Sequence, residues 1–240
     1  MKRQVLACVF VLTGLLLAQA QPEGENRRWA LYGGAGSSFQ TISHNDYPGS
    51  VKQSGIGWSL HAEYYLPDEP FSIKAGYSCE KLTLWDENVG TSLNQLNLGG
   101  RWYMLPSHYL VQPFAGVDAF IHMGSLNEQG IFESWVYRGS EWVKDYENSY
   151  SIRAPRFSVA PVIGLDVYLF SCMALQLGYG YSIGLDSHFD VYVRNCQANR
   201  DYVIRSKGNR HVMSIGLKLN FPFRFSESDT NNLIDWILGL

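Results

Sequence analysis

Positive charge is scarce in this chain, and no stretch concentrates it. The 19 Lys and Arg residues are outnumbered by 22 Asp and Glu, which gives a formal net charge of −3 at pH 7. Without a basic cluster to neutralise phosphates, nucleic acid is not expected as a partner.

Long apolar runs are missing after the first 20 residues. The apolar segment 5–17 follows two cations and precedes Ala18-Gln19-Ala20, a small-x-small cleavage site, so 1–20 is predicted to be a secretory signal peptide. Beyond it, no segment approaches the roughly 20 uninterrupted apolar residues that a transmembrane helix requires. If the mature chain lies in a membrane, strands must carry it.

Alternation with period two fills the rest of the chain. From Gly55 to Leu66, one set of alternate positions is apolar and the other holds Gly, Ser, His, Glu and Tyr. Such patterning predicts a sheet with two chemically different faces. The 15 Tyr, 12 Phe and 7 Trp match the aromatic girdles of a membrane barrel, and 23 Gly fit a narrow interior.

Eight strands are predicted, joined by connections that alternate between short and long. The strands span Trp29–Gln40, Gly55–Leu66, Phe71–Leu82, Leu93–Leu105, Leu110–Met123, Arg156–Phe170, Met173–Leu185 and Arg210–Phe225. The tight connections are 67–70, 106–109 and 171–172, and the long connections are 41–54, 83–92, 124–155 and 186–209. Short periplasmic turns and longer outer loops are typical of transmembrane barrels. The fold predicted for 21–225 is therefore all-β, an eight-stranded antiparallel up-and-down transmembrane β-barrel.

A soluble lipocalin-type barrel or a β-sandwich also alternates, with the apolar face inside. Three observations favour the membrane barrel: the polar face is mostly Gly, Ser, Asn and Gln, and the strands exceed the usual five or six residues. The third is the last strand, where Met213, Ile215, Leu217, Leu219, Phe221 and Phe223 share one face.

Four short motifs carry a resemblance to a known family. They are Gln112-Pro113-Phe114-Ala115-Gly116-Val117, Gly99-Gly100-Arg101-Trp102-Tyr103, Tyr179-Gly180-Tyr181-Ser182-Ile183-Gly184-Leu185 and Ser214-Ile215-Gly216-Leu217-Lys218-Leu219. The chain resembles the small outer-membrane β-barrels of the OmpA/OmpX-like kind from Bacteroidetes. The resemblance implies a fold and an outer-membrane location, because members of the family have diverse roles.

The segment 226–240 departs from barrels that end on the last aromatic strand. Leu233, Ile234, Trp236, Ile237 and Leu240 recur there at helical spacing. One interpretation is a short amphipathic helix on the periplasmic leaflet. The others are a loosely ordered tail under the barrel mouth and a segment that engages a partner.

Ionisable residues collect on the predicted inner face. They are His61, Glu63, Lys74, Glu80, Arg101, Asp118, His122, Asp166 and Lys218. An eight-stranded barrel is just wide enough for side chains to fill, and buried charges must pair. We therefore predict an ionic plug that closes the lumen. The alternative is a narrow gated path or a proton-sensitive switch through His61 and His122.

The cysteines of the mature chain are few. In the predicted topology Cys79 and Cys196 share the outer side, whereas Cys172 lies in a periplasmic turn. A Cys79–Cys196 disulfide is therefore the predicted pairing, and three unpaired thiols are the alternative.

Two outer connections hold further candidates. Segment 124–155 carries the predicted contact residues Phe132, Trp135, Tyr137, Trp142 and Tyr146 among polar residues. These aromatics either bind a protein or glycan or pack over the barrel mouth. Segment 190–205 alternates as well and predicts a protruding hairpin whose edge pairs with a partner strand.

The last outer connection also contains a weak enzyme signal. Ser187-His188 lies between Asp186 and Asp190, but sequence neighbours rarely converge as nucleophile, base and orienting acid. The acidic residues also lack the spacing of a calcium loop. No catalytic residue, cofactor or metal is therefore predicted.

The leading functional prediction is a non-enzymatic outer-membrane protein that is structural or binds through its outer loops. The expected partners are outer-membrane lipid and lipopolysaccharide, and an extracellular protein or glycan. The alternatives are a small channel or transport component and, less favoured, a lipid-A-modifying enzyme.

Overall fold

The computed structural model describes residues 27–43, 50–84, 89–106, 109–170, 172–196 and 200–221. The predicted signal peptide 1–20 and tail 226–240 lie outside these residues. Within them, no helix is long and apolar enough to cross a membrane. The strands are β1 (Trp29–Ser43), β2 (Ser50–Tyr65), β3 (Phe71–Leu84), β4 (Val89–Tyr103), β5 (Val111–His122), β6 (Asn127–Arg138), β7 (Glu141–Arg153), β8 (Phe157–Phe170), β9 (Met173–Leu185), β10 (His188–Asn195), β11 (Arg200–Ser206) and β12 (Arg210–Phe221).

Eight of these strands close into an antiparallel barrel in the order β1-β12-β9-β8-β5-β4-β3-β2. Closure joins β1 to β12 in register from Trp29↔Phe221 to Phe39↔His211. The predicted eight-stranded barrel is confirmed, and each predicted strand corresponds to one strand of the barrel. The tight turns lie at one end of the barrel, which we call the turn end.

The barrel is apolar on its outer face and polar inside. On β2, Leu60 is 57% exposed and Ile56 and Trp58 are exposed as well, whereas the alternate residues His61 and Glu63 are buried. A soluble lipocalin-type barrel would have its apolar residues inside and its polar residues outside. That alternative is therefore wrong. On β1 the outward aromatics Trp29 and Phe39 are ten residues apart, which at a tilt of about 40° spans about 25 Å. This height matches the apolar band of a membrane barrel.

Strand glycines make room for large side chains of the lumen. A Cβ on Gly34 or Gly216 would collide with the Tyr32 ring, and one on Gly76 would collide with His61. Glycine weakens most sheets because it has no side chain to pack. Here the missing side chains leave room for Tyr32 and His61 inside the narrow barrel.

The remaining four strands form a second sheet in the order β11-β10-β7-β6, which we call the cap sheet. Segments 124–155 and 186–209, predicted as long loops, are therefore mainly two hairpins. The hairpin predicted at 190–205 is present as β10 and β11, but the β10 edge pairs with β7 of the same chain rather than with a partner.

The cap sheet covers the end of the barrel opposite the turns, which we call the cap end. The chain runs upward from β5 and β9 into the cap sheet and returns from it to β8 and β12, so the sheet stands on one half of the rim. Its inner face packs against Leu82 and Leu93, near the upper ends of β3 and β4 on the other half. The buried residues of this cap core are Leu82, Leu93, Ile152, Ala154, Phe189, Val191, Val193 and Ile204.

Candidate functional sites in the lumen and on the cap sheet

The nine ionisable residues predicted for the inner face all lie there. Eight are buried and Glu80 is half-buried. The seven charged residues form ion pairs, whereas the two histidines do not.

The largest ionic cluster lies in the turn-end half of the lumen. Lys218 Nζ lies 2.8 Å from Glu63 Oε2 and 2.7 Å from Asp166 Oδ2, and Lys218 and Asp166 are both 0% exposed. Arg101 Nη1 lies 3.3 Å from Glu63 Oε2. The Tyr103 hydroxyl donates to Glu63 at 2.6 Å. We call these five residues the lower cluster.

Two further ion pairs complete the lumen. Lys74 Nζ lies 2.6 Å from Asp118 Oδ2, and Arg210 Nη2 lies 2.8 Å from Glu80 Oε2 near the cap end. Sequence reasoning missed Arg210 and Tyr103. Both carried a usable signal, because Arg210 has the strand parity of Lys218 and Tyr103 that of Arg101.

The histidines take no part in these ion pairs. The His61 ring stacks on Tyr32 at 4.3 Å between centroids. His122 Nε2 lies 3.2 Å from the backbone oxygen of Ser125. A proton-sensitive path through His61 and His122 therefore finds no carboxylate partner on either ring in the described residues.

Four carboxylates of the described lumen lie beside four cations. The carboxylates are Glu63, Glu80, Asp118 and Asp166, and the cations are Lys74, Arg101, Arg210 and Lys218. A further cation, the half-buried Arg27, lies over the Tyr168 ring at 4.0 Å. In a narrow interior such pairing compensates charges that would each be costly to bury alone.

Three of the five predicted contact aromatics are exposed at the tip of the β6–β7 hairpin. Trp142 is 66% exposed, Trp135 and Tyr137 are exposed as well, and the rings of Tyr137 and Trp142 meet at 5.4 Å. Phe132 and Tyr146 instead pack against the cap core. Their assignment to a contact surface is therefore wrong, because alternation turns them to the inner face of the hairpin.

A small ion-pair network lies beside this aromatic tip. Lys144, which pairs across the hairpin with Trp135, lies 2.6 Å from Glu133 Oε1 and 2.8 Å from Glu147 Oε2. Hydrogen bonds to Glu133 and Glu147 raise the pKa of Lys144 to about 12. The hydrogen bond from Lys144 lowers the pKa of Glu147.

The Ser187-His188 segment connects β9 to β10. The Ser187 hydroxyl donates to the backbone oxygen of Gly184 and accepts from the backbone N–H of Gly208. Asp186 pairs with Arg153 at 2.7 Å. In the described residues, neither the hydroxyl nor the Asp186 carboxylate is directed to His188 as a catalytic triad requires.

The predicted Cys79–Cys196 disulfide is absent. Cys79 lies on the outer face of β3 opposite Trp58, within the barrel wall. Cys196 follows the last residue of β10, about 26 Å along the strand from the rim. The prediction is wrong because Cys196 lies at the far end of β10 in the cap sheet, whereas Cys79 lies in the barrel wall.

No family model matches the chain, and no curated protein matches its sequence. Among solved structures, the chain is similar to Neisserial surface protein A, with 14% identity, 82% of this chain and 98% of that chain covered, and a TM-score of 0.46. It is also similar to the outer membrane protein AlkL, with 12% identity, coverage of 86% and 96%, and a TM-score of 0.43. An outer membrane channel from Pseudomonas putida F1 aligns at 11% identity, with coverage of 84% and 100% and a TM-score of 0.34. At these values the likeness carries no conclusion about activity.

Proposed function

We propose that this chain is a non-enzymatic integral protein of the bacterial outer membrane, secreted across the inner membrane and anchored by its barrel. The barrel is a closed anchor, and the cap sheet is the part that contacts other molecules. The observation that carries the proposal is the inverted barrel, with an apolar belt outside and paired charges inside.

Location is tested by fractionation. Because exposed Ile56, Trp58 and Leu60 require hydrocarbon rather than water, the full-length protein should fractionate with the outer membrane. The folded barrel should run at a different gel mobility before and after heating. Recovery of the folded protein in the soluble fraction without detergent would refute the anchor.

The paired lumen favours an anchor over a channel. Lys218, Glu63 and Asp166 have hardly any solvent exposure, so an ion has no continuous aqueous route through the turn-end half. We expect no steady conductance from the purified barrel in a planar bilayer at neutral pH. Steady conductance would put a channel or transport component first.

The exposed aromatic tip is the proposed contact surface. Trp135, Tyr137 and Trp142 offer apolar area beside the charged Lys144 network, and Trp and Tyr are enriched at binding hot spots. The partners that fit this chemistry are an extracellular protein, a glycan or lipopolysaccharide.

Binding is tested with the full-length protein in lipid nanodiscs against lipopolysaccharide and panels of purified glycans and extracellular proteins. The triple variant Trp135→Ala/Tyr137→Ala/Trp142→Ala should lose at least tenfold in affinity for any partner found. The variant Ile131→Ala/Tyr192→Ala removes exposed side chains elsewhere on the cap sheet and should retain binding. Equal losses in both variants would argue against the tip.

The non-enzymatic part of the proposal has its own test. Replacement of the loop histidine, His188→Ala, should leave the composition of lipid A unchanged in cells that express the protein. Loss of a lipid-A modification in this variant would favour an outer-membrane enzyme.

A further inference from the structure

A cavity of about 120 Å³ lies in the lumen between Glu63, Asp166 and Lys218 of the lower cluster and the cap end. Arg101 and Lys74 line it toward the lower cluster, and Glu80 and Arg210 line it toward the cap. Much of the wall consists of small residues from β1, β2, β9 and β12, among them Gly36, Gly57, Ser59, Gly178, Gly180 and Ser214.

Small residues act differently at different heights of the lumen. At mid-height, the space beside Gly34 and Gly216 is filled by the Tyr32 ring, which also lines the cavity. Closer to the cap end, the side chain that faces Gly178 is the small residue Ser214. The same glycine-rich construction therefore produces tight packing below and a chamber above.

Polar atoms of this chamber have unmet hydrogen-bonding capacity. His61 Nε2, Gln95 Nε2, Asn97 Oδ1 and Asp118 Oδ1 have no partner within the described residues, and all four side chains are more than nine-tenths buried. All four residues line the cavity. Because buried polar groups are normally hydrogen-bonded, these atoms mark a place for a molecule that supplies donors and acceptors.

We propose that the chamber binds one small, uncharged, hydrogen-bonding molecule of the short-polyol class. The volume corresponds to about four water molecules. The charged side chains that line the chamber are already paired, Asp118 with Lys74, Glu80 with Arg210, and Arg101 with Glu63 below the chamber. An ionic ligand would bring a charge without a counter-charge into a buried site, which is unfavourable.

The ligand enters from the cap end. The lower cluster closes the other end, where Lys218 and Asp166 are completely buried. Entry therefore passes Arg210 and the contact that Leu82 and Leu93 make with the cap-sheet residues of the cap core. The site is independent of the contact surface proposed above, since the aromatic tip takes no part in it.

The test uses the ¹⁵N-labelled full-length protein in detergent micelles, with glycerol as the neutral probe. Side-chain amide signals of Gln95 and Asn97 should shift and saturate as glycerol is added. The amide of Gln112, which bonds to Pro106 at the turn end, should not shift. Glycolate and ethanolammonium, charged probes of similar size, should leave all three signals unchanged.

Two variants fill the chamber independently, Ser59→Leu and Val212→Phe, and both positions line it. Each should weaken the glycerol response at least tenfold. The matched control is Ser92→Leu on the exposed outer face of β4, which should retain the response. Because the two fillers come from different strands, failure of one to fold leaves the other decisive.

Selectivity for uncharged molecules has a separate test. In Asp118→Asn, Lys74 loses its carboxylate partner, so the chamber gains a positive charge and should now bind glycolate. The proposal is overturned if wild-type protein shows no saturable glycerol response, which would mean that the chamber holds water only. It is equally overturned if charged probes bind the wild type as well as glycerol, or if both fillers leave the response unchanged.

Discussion

The barrel and the cap sheet are built from the same alternating pattern with opposite cores. In the barrel, Lys218, Glu63 and Asp166 lie inside and Leu60 faces outward. In the cap sheet, Val191 lies inside, while ion pairs such as Lys144–Glu133 lie on the surface. The medium around each sheet, hydrocarbon or water, decides which set of alternate residues is turned inward.

The largest effect is expected from removing the centre of the lower cluster. Lys218→Met leaves Asp166 without its cation and removes one of the two cations beside Glu63, which should lower the free energy of unfolding by about 3–5 kcal/mol. Denaturant titration in detergent, followed by gel mobility, measures the change. The exposed control Lys207→Met should stay within about 0.5 kcal/mol of wild type. Equal stability of the two variants would mean that the lumen charges do not hold the barrel.

A comparable but local effect is expected from the cap core. Phe189→Ala should destabilise the docked cap sheet by about 3–5 kcal/mol, because a large buried side chain leaves a cavity. Limited proteolysis should then cut the hairpins, while the barrel keeps the mobility of the folded state. The control is Ile131→Ala, whose side chain is exposed. Joint unfolding of cap and barrel would show that the two regions form one cooperative unit.

The outward face of the barrel gives the next effect. Leu60→Arg places a cation on the lipid-facing side of β2 and should destabilise the membrane-inserted barrel by about 2–4 kcal/mol. Refolding into lipid vesicles at increasing denaturant measures it. In a barrel surrounded by water the same change would have little effect on stability. A neutral result would therefore contradict the claim that the outer face of the barrel contacts hydrocarbon.

The smallest effect is expected from the surface network of the cap sheet. The raised pKa of Lys144 means that its stabilisation is present below about pH 10.5 and is lost as the pH rises through about 12. The lowered pKa of Glu147 means that its stabilisation is present above about pH 4.5 and is lost below. In Lys144→Met, NMR titration should show the pKa of Glu147 return upward to its ordinary range; an unchanged Glu147 titration would rule out this hydrogen bond as the cause.

The barrel could be predicted from sequence because lipid imposes one strict rule on every strand. Alternation such as Ile56, Trp58 and Leu60 against His61 and Glu63 specifies both the strand and the direction of each side chain. The same rule placed the lumen charges on the inner face before their partners were known.

The cap sheet was harder to predict because its strands obey a weaker rule. On β6 the inward residue Phe132 is only half-buried, and Trp135 follows a register shift that interrupts alternation. Pairing between lumen residues such as Arg210 and Glu80, 130 residues apart, depends on barrel shear and not on local sequence. The disulfide prediction was wrong because sharing the outer side does not set distance: Cys196 lies at the far end of β10, whereas Cys79 lies in the barrel wall.

Pairing of β1 with β12 has a consequence for how the protein enters a membrane. Residues 29–39 meet 211–221, so the last ladder joins parts of the chain separated by most of its length. Until it forms, both strands carry backbone N–H and C=O groups that hydrocarbon cannot satisfy. A shortened chain without β12 therefore forms no stable open sheet in lipid. Insertion has to await closure of the barrel through the β1–β12 ladder.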